Sequence, residues 1–237
     1  MSLFLNYEDG YYSLTNAGNI FFFVIIVVLI LLTALVKSSA KSEKRTDKDQ
    51  NNAAKAFSTK QLVFSAVAIA LGFVTSYIKI IHMPWGGSVT LCSMLFVTLI
   101  GYWYGPKVGI SAGFAYGLLQ FVQSGGTYIL SPLQACMDYI LAFAALGLSG
   151  FFHDKKNGLI KGYIFAIFMR GLFHSIGGYL YWMDYMPDFF INHNLGVIYP
   201  IAYNYAYILI EGVVTIIIIM LPPVQNVMTR VKRMAIE

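Results

Sequence analysis

Residues 125–152 read GGTYILSPLQACMDYILAFAALGLSGFF. From Pro132 to Phe152 the only charged side chain is Asp138, and most of the remainder is apolar or small. A helix needs about 20 predominantly apolar residues to cross a bilayer, so this stretch predicts a membrane span with a carboxylate set inside it. Comparable apolar runs lie on either side, at 19–36, 61–81, 89–104, 108–122, 162–183 and 198–221. Composition agrees, because charged residues make up 11% of the 237-residue chain, less than half the roughly 25% of a soluble domain.

The expected architecture is therefore an all-α integral membrane protein. A six-helix core over 61–221 is preceded by one extra transmembrane helix within 1–36 and followed by a basic tail over 222–237. The linker, KSSAKSEKRTDKDQNNAAKAFSTK from Lys37 to Lys60, has the charge density of a solvated segment. The first apolar run is not read as a signal peptide, since Glu8 and Asp9 stand before it where a basic region would be needed. Cys92 and Cys136 form no CxxC pair, which argues against a zinc knuckle or a disulfide framework and leaves two buried thiols.

Basic residues concentrate on the cytoplasmic side during insertion. All of the sixteen Lys and Arg except Lys79 and Arg170 fall in the linker, the Gly105-Pro106-Lys107 turn, the HDKKNGLIK loop or the tail. This places the amino terminus outside and the carboxyl terminus in the cytoplasm. Asp184 and Asp188 then belong to an outer connection.

Within the spans, lipid would penalise Asp138, Arg170, His174, Asn204 and Glu211, so these should face the bundle interior. Two readings stand for the carboxylates: a structural role, either neutral or ion-paired with Arg170, or a solute site. Asp138, in a helix entered from the outer side, suits the second better than Glu211, which lies deeper in its span. Trp85 occupies the outer loop HMPWGGSVT, and His174, Gly178 and Trp182 recur every four residues on one helical face. Tyr199, Tyr203, Asn204 and Tyr207 mark another outer helix end, at the depth of Asp138 and Tyr139. A carboxylate among indole, phenol, imidazole and amide groups fits a flat cationic heteroaromatic solute, because aromatic faces and the carboxylate attract the cation while Asn reads ring nitrogens.

The motifs WGGSVTL, GGTYILSPLQACMDYILAF, RGLFHSIGGYLYW and YPIAYNYAYILIEG, in that order from Lys60 to Leu221, resemble the thiamine-specific substrate-binding subunits of energy-coupling factor (ECF) vitamin transporters. The resemblance implies that Trp85 caps the site and Tyr128 lines its entrance. It also implies that Asp138 with Tyr139 replaces an acidic-aromatic pair whose acid is often Glu. His174, Gly178 and Trp182 would complete the pocket with Tyr199 and Asn204, the last two bonding thiamine and Trp182 stacking on it. Arg170 stands where Lys can occur, and Tyr205 where Gly can. A small-residue motif, Ala66 and Ala70, is implied as the docking site for a coupling transmembrane protein, although alanines four apart also serve ordinary helix packing.

An importer of this kind needs energy, yet no GxxxxGK[ST] occurs, so ATP would be used by a pair of separate ATP-binding subunits and no cofactor or metal is expected on this chain. The solute would be captured outside and released inside the plasma membrane, with no role for nucleic acid. A membrane enzyme is disfavoured because HExxH or another close-spaced ligand set is missing. A subunit for a thiamine precursor or another vitamin, or a stand-alone ion-coupled transporter, remains as the alternative.

Overall fold

A computed structural model describes the backbone of residues 5–8 and 11–14, residue Ile20, and residues 57–127 and 129–237. Apart from Ile20, the expected span over 19–36 lies outside the described residues, as do 37–56 of the linker and Tyr128. Near the amino terminus, strands β1 (Leu5–Glu8) and β2 (Tyr11–Leu14) pair antiparallel.

The described fold is mostly helical. Helix α1 (Thr59–Ser76) starts at a capping box, in which Ser58 Oγ accepts from the Gln61 amide while Gln61 Oε1 accepts from the Ser58 amide. The expected span over 61–81 is shorter than predicted. After α1 the chain turns into strand β3 (Lys79–His82), paired antiparallel with β4 (Ser88–Thr90). The run Ile78, Ile80, Ile81 is β-branched and therefore suits a strand as well as it extends an apolar stretch.

Helix α2 (Ser93–Tyr104) has only 12 residues, about 18 Å of rise. It lies at the centre of the bundle, where Val97, Thr98 and Ile100 are fully buried. Helix α3 (Pro106–Gln123) begins with proline at its first turn, where the missing N–H costs nothing. Helix α4 (Pro132–Phe152) starts from Ser131, whose hydroxyl accepts from the Gln134 amide. Helix α5 (Gly158–Tyr181) packs on the far half of α4 and against α7 (Ile198–Met220), with the short α6 (Asp188–Asn192) between α5 and α7. Among the described residues, α1, α4, α5 and α7 are long and apolar enough to cross a membrane.

Small residues allow α2, α3 and α4 to approach closely. A Cβ at Gly109 would lie 2.6 Å from both Gly101 Cα and Gly147 O, so any larger residue would force these helices apart. The residues expected as a tail form helix α8 (Pro222–Ile236), started by Pro222 and Pro223. Tyr104 donates from its hydroxyl to the Ala235 carbonyl at 3.0 Å, holding α8 against the end of α2.

Candidate functional site

Asp138 lies within a π-helical turn, Cys136–Leu141, that interrupts α4. Such wide turns commonly re-aim side chains at functional sites. Gln134, one turn earlier, donates from Nε2 to Asp138 Oδ2 at 2.5 Å, and Gln134 Oε1 accepts from the Leu130 amide. The other carboxylate oxygen, Oδ1, is 3.2 Å from His174 Nδ1 on α5. Gly177 leaves room for this meeting, because a Cβ there would stand 2.9 Å from the same oxygen.

The second nitrogen of His174 fixes its tautomer. Arg170 Nε donates to His174 Nε2 at 3.4 Å, and a guanidinium has no acceptor, so Nε2 must receive and Nδ1 must carry the ring proton. His174 is thus a neutral donor to Asp138. Arg170 itself stands with Cζ 4.4 Å from the centre of the Phe143 ring. Among the described residues no ion pair joins Arg170 to a carboxylate, and Asp138 has only neutral donors.

Glu211 on α7, 2% exposed, is satisfied differently. Its Oε2 accepts from the Thr90 amide at 2.8 Å and the Thr90 hydroxyl at 2.7 Å, and its Oε1 from the Met94 amide at 3.2 Å. Ser93 Oγ is a further donor at 3.4 Å. These groups join β4 to the start of α2, where a helix has free N–H groups and favours an anion.

Above this floor sits an aromatic mouth. The hairpin loop carries Trp85, and its amide donates to the Tyr203 hydroxyl at 2.8 Å while that hydroxyl donates to the Gly86 carbonyl at 2.9 Å. Gly87 follows with φ +81°, and a Cβ there would fall 2.7 Å from the Tyr207 ring. Tyr185 lies between two indoles, its ring 5.2 Å from that of Trp85 and 5.4 Å from that of Trp182.

One cavity, of about 210 Å³, is lined by Trp85, Asp138, Tyr139, His174, Gly178, Trp182, Tyr199 and Asn204, so eight of the nine residues proposed from the sequence meet; Tyr128 lies outside the described residues. Asn204 is already engaged: its Nδ2 donates to the His174 and Pro200 carbonyls at 3.2 and 2.9 Å, and its Oδ1 accepts from Tyr207 at 3.1 Å. Tyr199 donates to the Tyr185 carbonyl at 3.4 Å. The cavity also includes Arg170 and Glu211, whose roles the sequence left open, and Lys79, Gln120, Gln123 and Gln134, which sequence reasoning passed over. The signal for Gln134 was its position four residues before Asp138, on the same helical face.

The family described as Thiamine transporter protein (Thia_YuaJ) matches residues 62–230, leaving 1–61 and 231–237 outside it. The thiamine transporter ThiT of Bacillus subtilis (strain 168) is 30% identical over 175 residues, covering 67% of this chain and 85% of that protein. ThiT of Lacticaseibacillus paracasei is 28% identical over 174 residues, covering 66% and 81%. The solved structure of ThiT from Listeria monocytogenes is similar with a TM-score of 0.54 at 25% identity, covering 69% of this chain and 94% of that one.

Proposed function

The chain belongs to the thiamine transporter protein family, and from that premise we propose that it is the thiamine-binding membrane subunit of an ECF-type importer, taking up its vitamin from the outer face. The observation that carries this reading is Asp138. Its carboxylate is held by Gln134 and a neutral His174, without a cation in bonding range among the described residues, inside a cavity with an aromatic mouth. Thiamine carries a permanent positive charge on a flat ring. A carboxylate held by Gln134 and His174, with no Arg or Lys paired to it among the described residues, leaves its place for such a cation open, and indole and phenol faces add to the attraction.

In this reading Trp85 closes over the ring system from the hairpin, Trp182 stacks on it, and Asp138 with Tyr139 and His174 receives the cationic end. Gly178 keeps the wall low, since a Cβ there would meet Pro200 at 2.9 Å and Asn204 at 3.1 Å. Asn204 and Tyr199 shape the remaining wall and offer oxygens to the ligand.

Energy would come from a pair of ATP-binding subunits through a coupling transmembrane protein. Ala66 and Ala70 lie exposed on the outer face of α1, beside Val63, Val67 and Val74, which leaves a shallow strip for a partner helix. The amino terminus would lie outside and the basic end of the bundle in the cytoplasm.

The test is intrinsic Trp fluorescence of the purified chain titrated with thiamine beside riboflavin and biotin. Saturable quenching by thiamine, weakened in Asp138→Asn and Trp182→Ala, is expected. A folded sample that ignores thiamine would sink the proposal.

A further inference from the structure

Helix α8 follows the last span directly and presents two distinct surfaces. Val224, Met228, Val231 and Ala235 turn inward, toward α1, α2 and α7. Lys232, next to them, is drawn inward as well: its Nζ lies 2.9 Å from the Tyr102 hydroxyl and 4.2 Å from the ring centre. At 100° per residue, Val227 and Met234 fall side by side on one flank of this inward face. Both are more than half exposed, at 55% and 57%. Arg230 borders that flank, and Gln225, Asn226, Thr229 and Arg233 occupy the remaining arc, with Ile236 among them at the helix end, 50% exposed.

A helix with an apolar flank, a basic border and a mostly polar back is suited to lie in a membrane interface. Its surroundings have the same character. The turns at this end of the bundle bring Lys107, Lys155, Lys156 and Lys161 to the same side, against a single acidic residue in those turns, Asp154. That they share an end follows from packing, because Gly150 abuts the backbone of Pro106, and Gly158 faces the Tyr102 ring that Lys232 covers.

We propose that α8 is an interfacial helix that seats Val227 and Met234 in the bilayer and binds acidic lipid headgroups through Arg230 and Arg233. Charge complementarity selects the occupant: neutral lipid would satisfy the apolar flank but not the excess of cations at this end of the bundle. Lys232 anchors the helix to the bundle, and among the described residues the one ion pair made by the two arginines is that of Arg233 with the exposed Glu237 at 4.0 Å, which leaves both available for headgroups. The proposal requires only that the bundle spans a membrane, and it is independent of the ligand.

The test uses the full chain with Met234→Cys carrying a polarity-sensitive fluorophore, labelled beside the parent chain to account for Cys92 and Cys136. It is placed in nanodiscs of phosphatidylcholine, with or without phosphatidylglycerol. Blue-shifted emission quenched by nitroxide-bearing lipid is expected, along with retention of phosphatidylglycerol around the protein. Arg230→Gln and Arg233→Gln should each lower that preference roughly fivefold, and salt should lower it too. Both positions are exposed, and a monodisperse elution profile shows that the variants have folded. A probe that stays in water in both lipid mixtures would overturn the proposal. So would burial that appears only when the ATP-binding and coupling subunits are added, since the face would then belong to a protein partner.

Discussion

Glu211 and Thr90 are joined twice, the amide and the hydroxyl of Thr90 both ending on the same carboxylate oxygen. This contact is the lowest of three along one face of α7. Tyr203 holds the tip of the hairpin, Tyr207 lies under Gly87, and Glu211 fixes its base, at successive four-residue intervals. The hairpin therefore rests on a rail, with a single phenol hydroxyl at its tip and a multiply bonded carboxylate at its base.

Removing the contact at the base should destabilise the fold. Glu211→Ala strips acceptors from the half-buried Thr90 amide and the buried Met94 amide, and leaving a buried donor unmet costs about 1–3 kcal/mol. A lowered thermal midpoint in detergent is expected, with Glu211→Gln intermediate because its amide oxygen still accepts. An unchanged midpoint in Glu211→Ala would show that these bonds contribute nothing to stability.

Tyr203→Phe should act on the tip alone. It keeps the ring and deletes the hydroxyl that both accepts from Trp85 and donates to Gly86. Two neutral hydrogen bonds at about 1 kcal/mol each correspond to a rise of about thirtyfold in ligand release. Stopped-flow Trp fluorescence with thiamine should find this change in the off-rate, the on-rate moving little.

Asp138→Asn should cost more than any neutral contact, since a charge-assisted interaction is worth about 1.5–3 kcal/mol, or roughly ten- to a hundredfold in affinity. Isothermal titration with thiamine, beside an uncharged analogue in which a neutral ring replaces the thiazolium, separates charge from shape. Equal losses for both ligands would remove the cation from the explanation.

Gly87→Ala combines a left-handed backbone with a collision against Tyr207, so the loop must lift away from α7. Thiamine affinity should fall while helical circular dichroism is retained. Normal affinity would mean that the loop is not seated when ligand is held.

Ala66→Leu with Ala70→Leu should separate capture from transport. Both side chains point away from the bundle, so binding by the isolated chain should persist while uptake in cells carrying the whole assembly is lost. Undiminished uptake would place the docking surface elsewhere.

Much of this organisation could be read in the sequence because hydropathy and helical spacing are local properties. The four-residue spacing of His174, Gly178 and Trp182 does bring them to one cavity, and the apolar run after Pro132 is one long helix. What escaped depends on partners distant in sequence. Ile78 to Ile81 read as more membrane span because apolar runs do not distinguish strand from helix, and only pairing with β4 decides. An ion pair between Arg170 and a carboxylate was a reasonable alternative, but Glu211 found its donors in the turn before α2, and Arg170 settled against Phe143. Helix α8 was hidden by its charges, which lower hydropathy while preserving amphipathic order.

The wide turn at Cys136–Leu141 has an evolutionary consequence. It holds about one residue more than the α-helical ladder would use, the arrangement left by a single-residue insertion into a regular helix. Losing one residue there would close the turn and rotate Asp138 by about 100° relative to the rest of α4. The aim of Asp138 is thus encoded partly in chain length, and a change of one codon in number would redirect it while every other side chain lining the cavity stays the same.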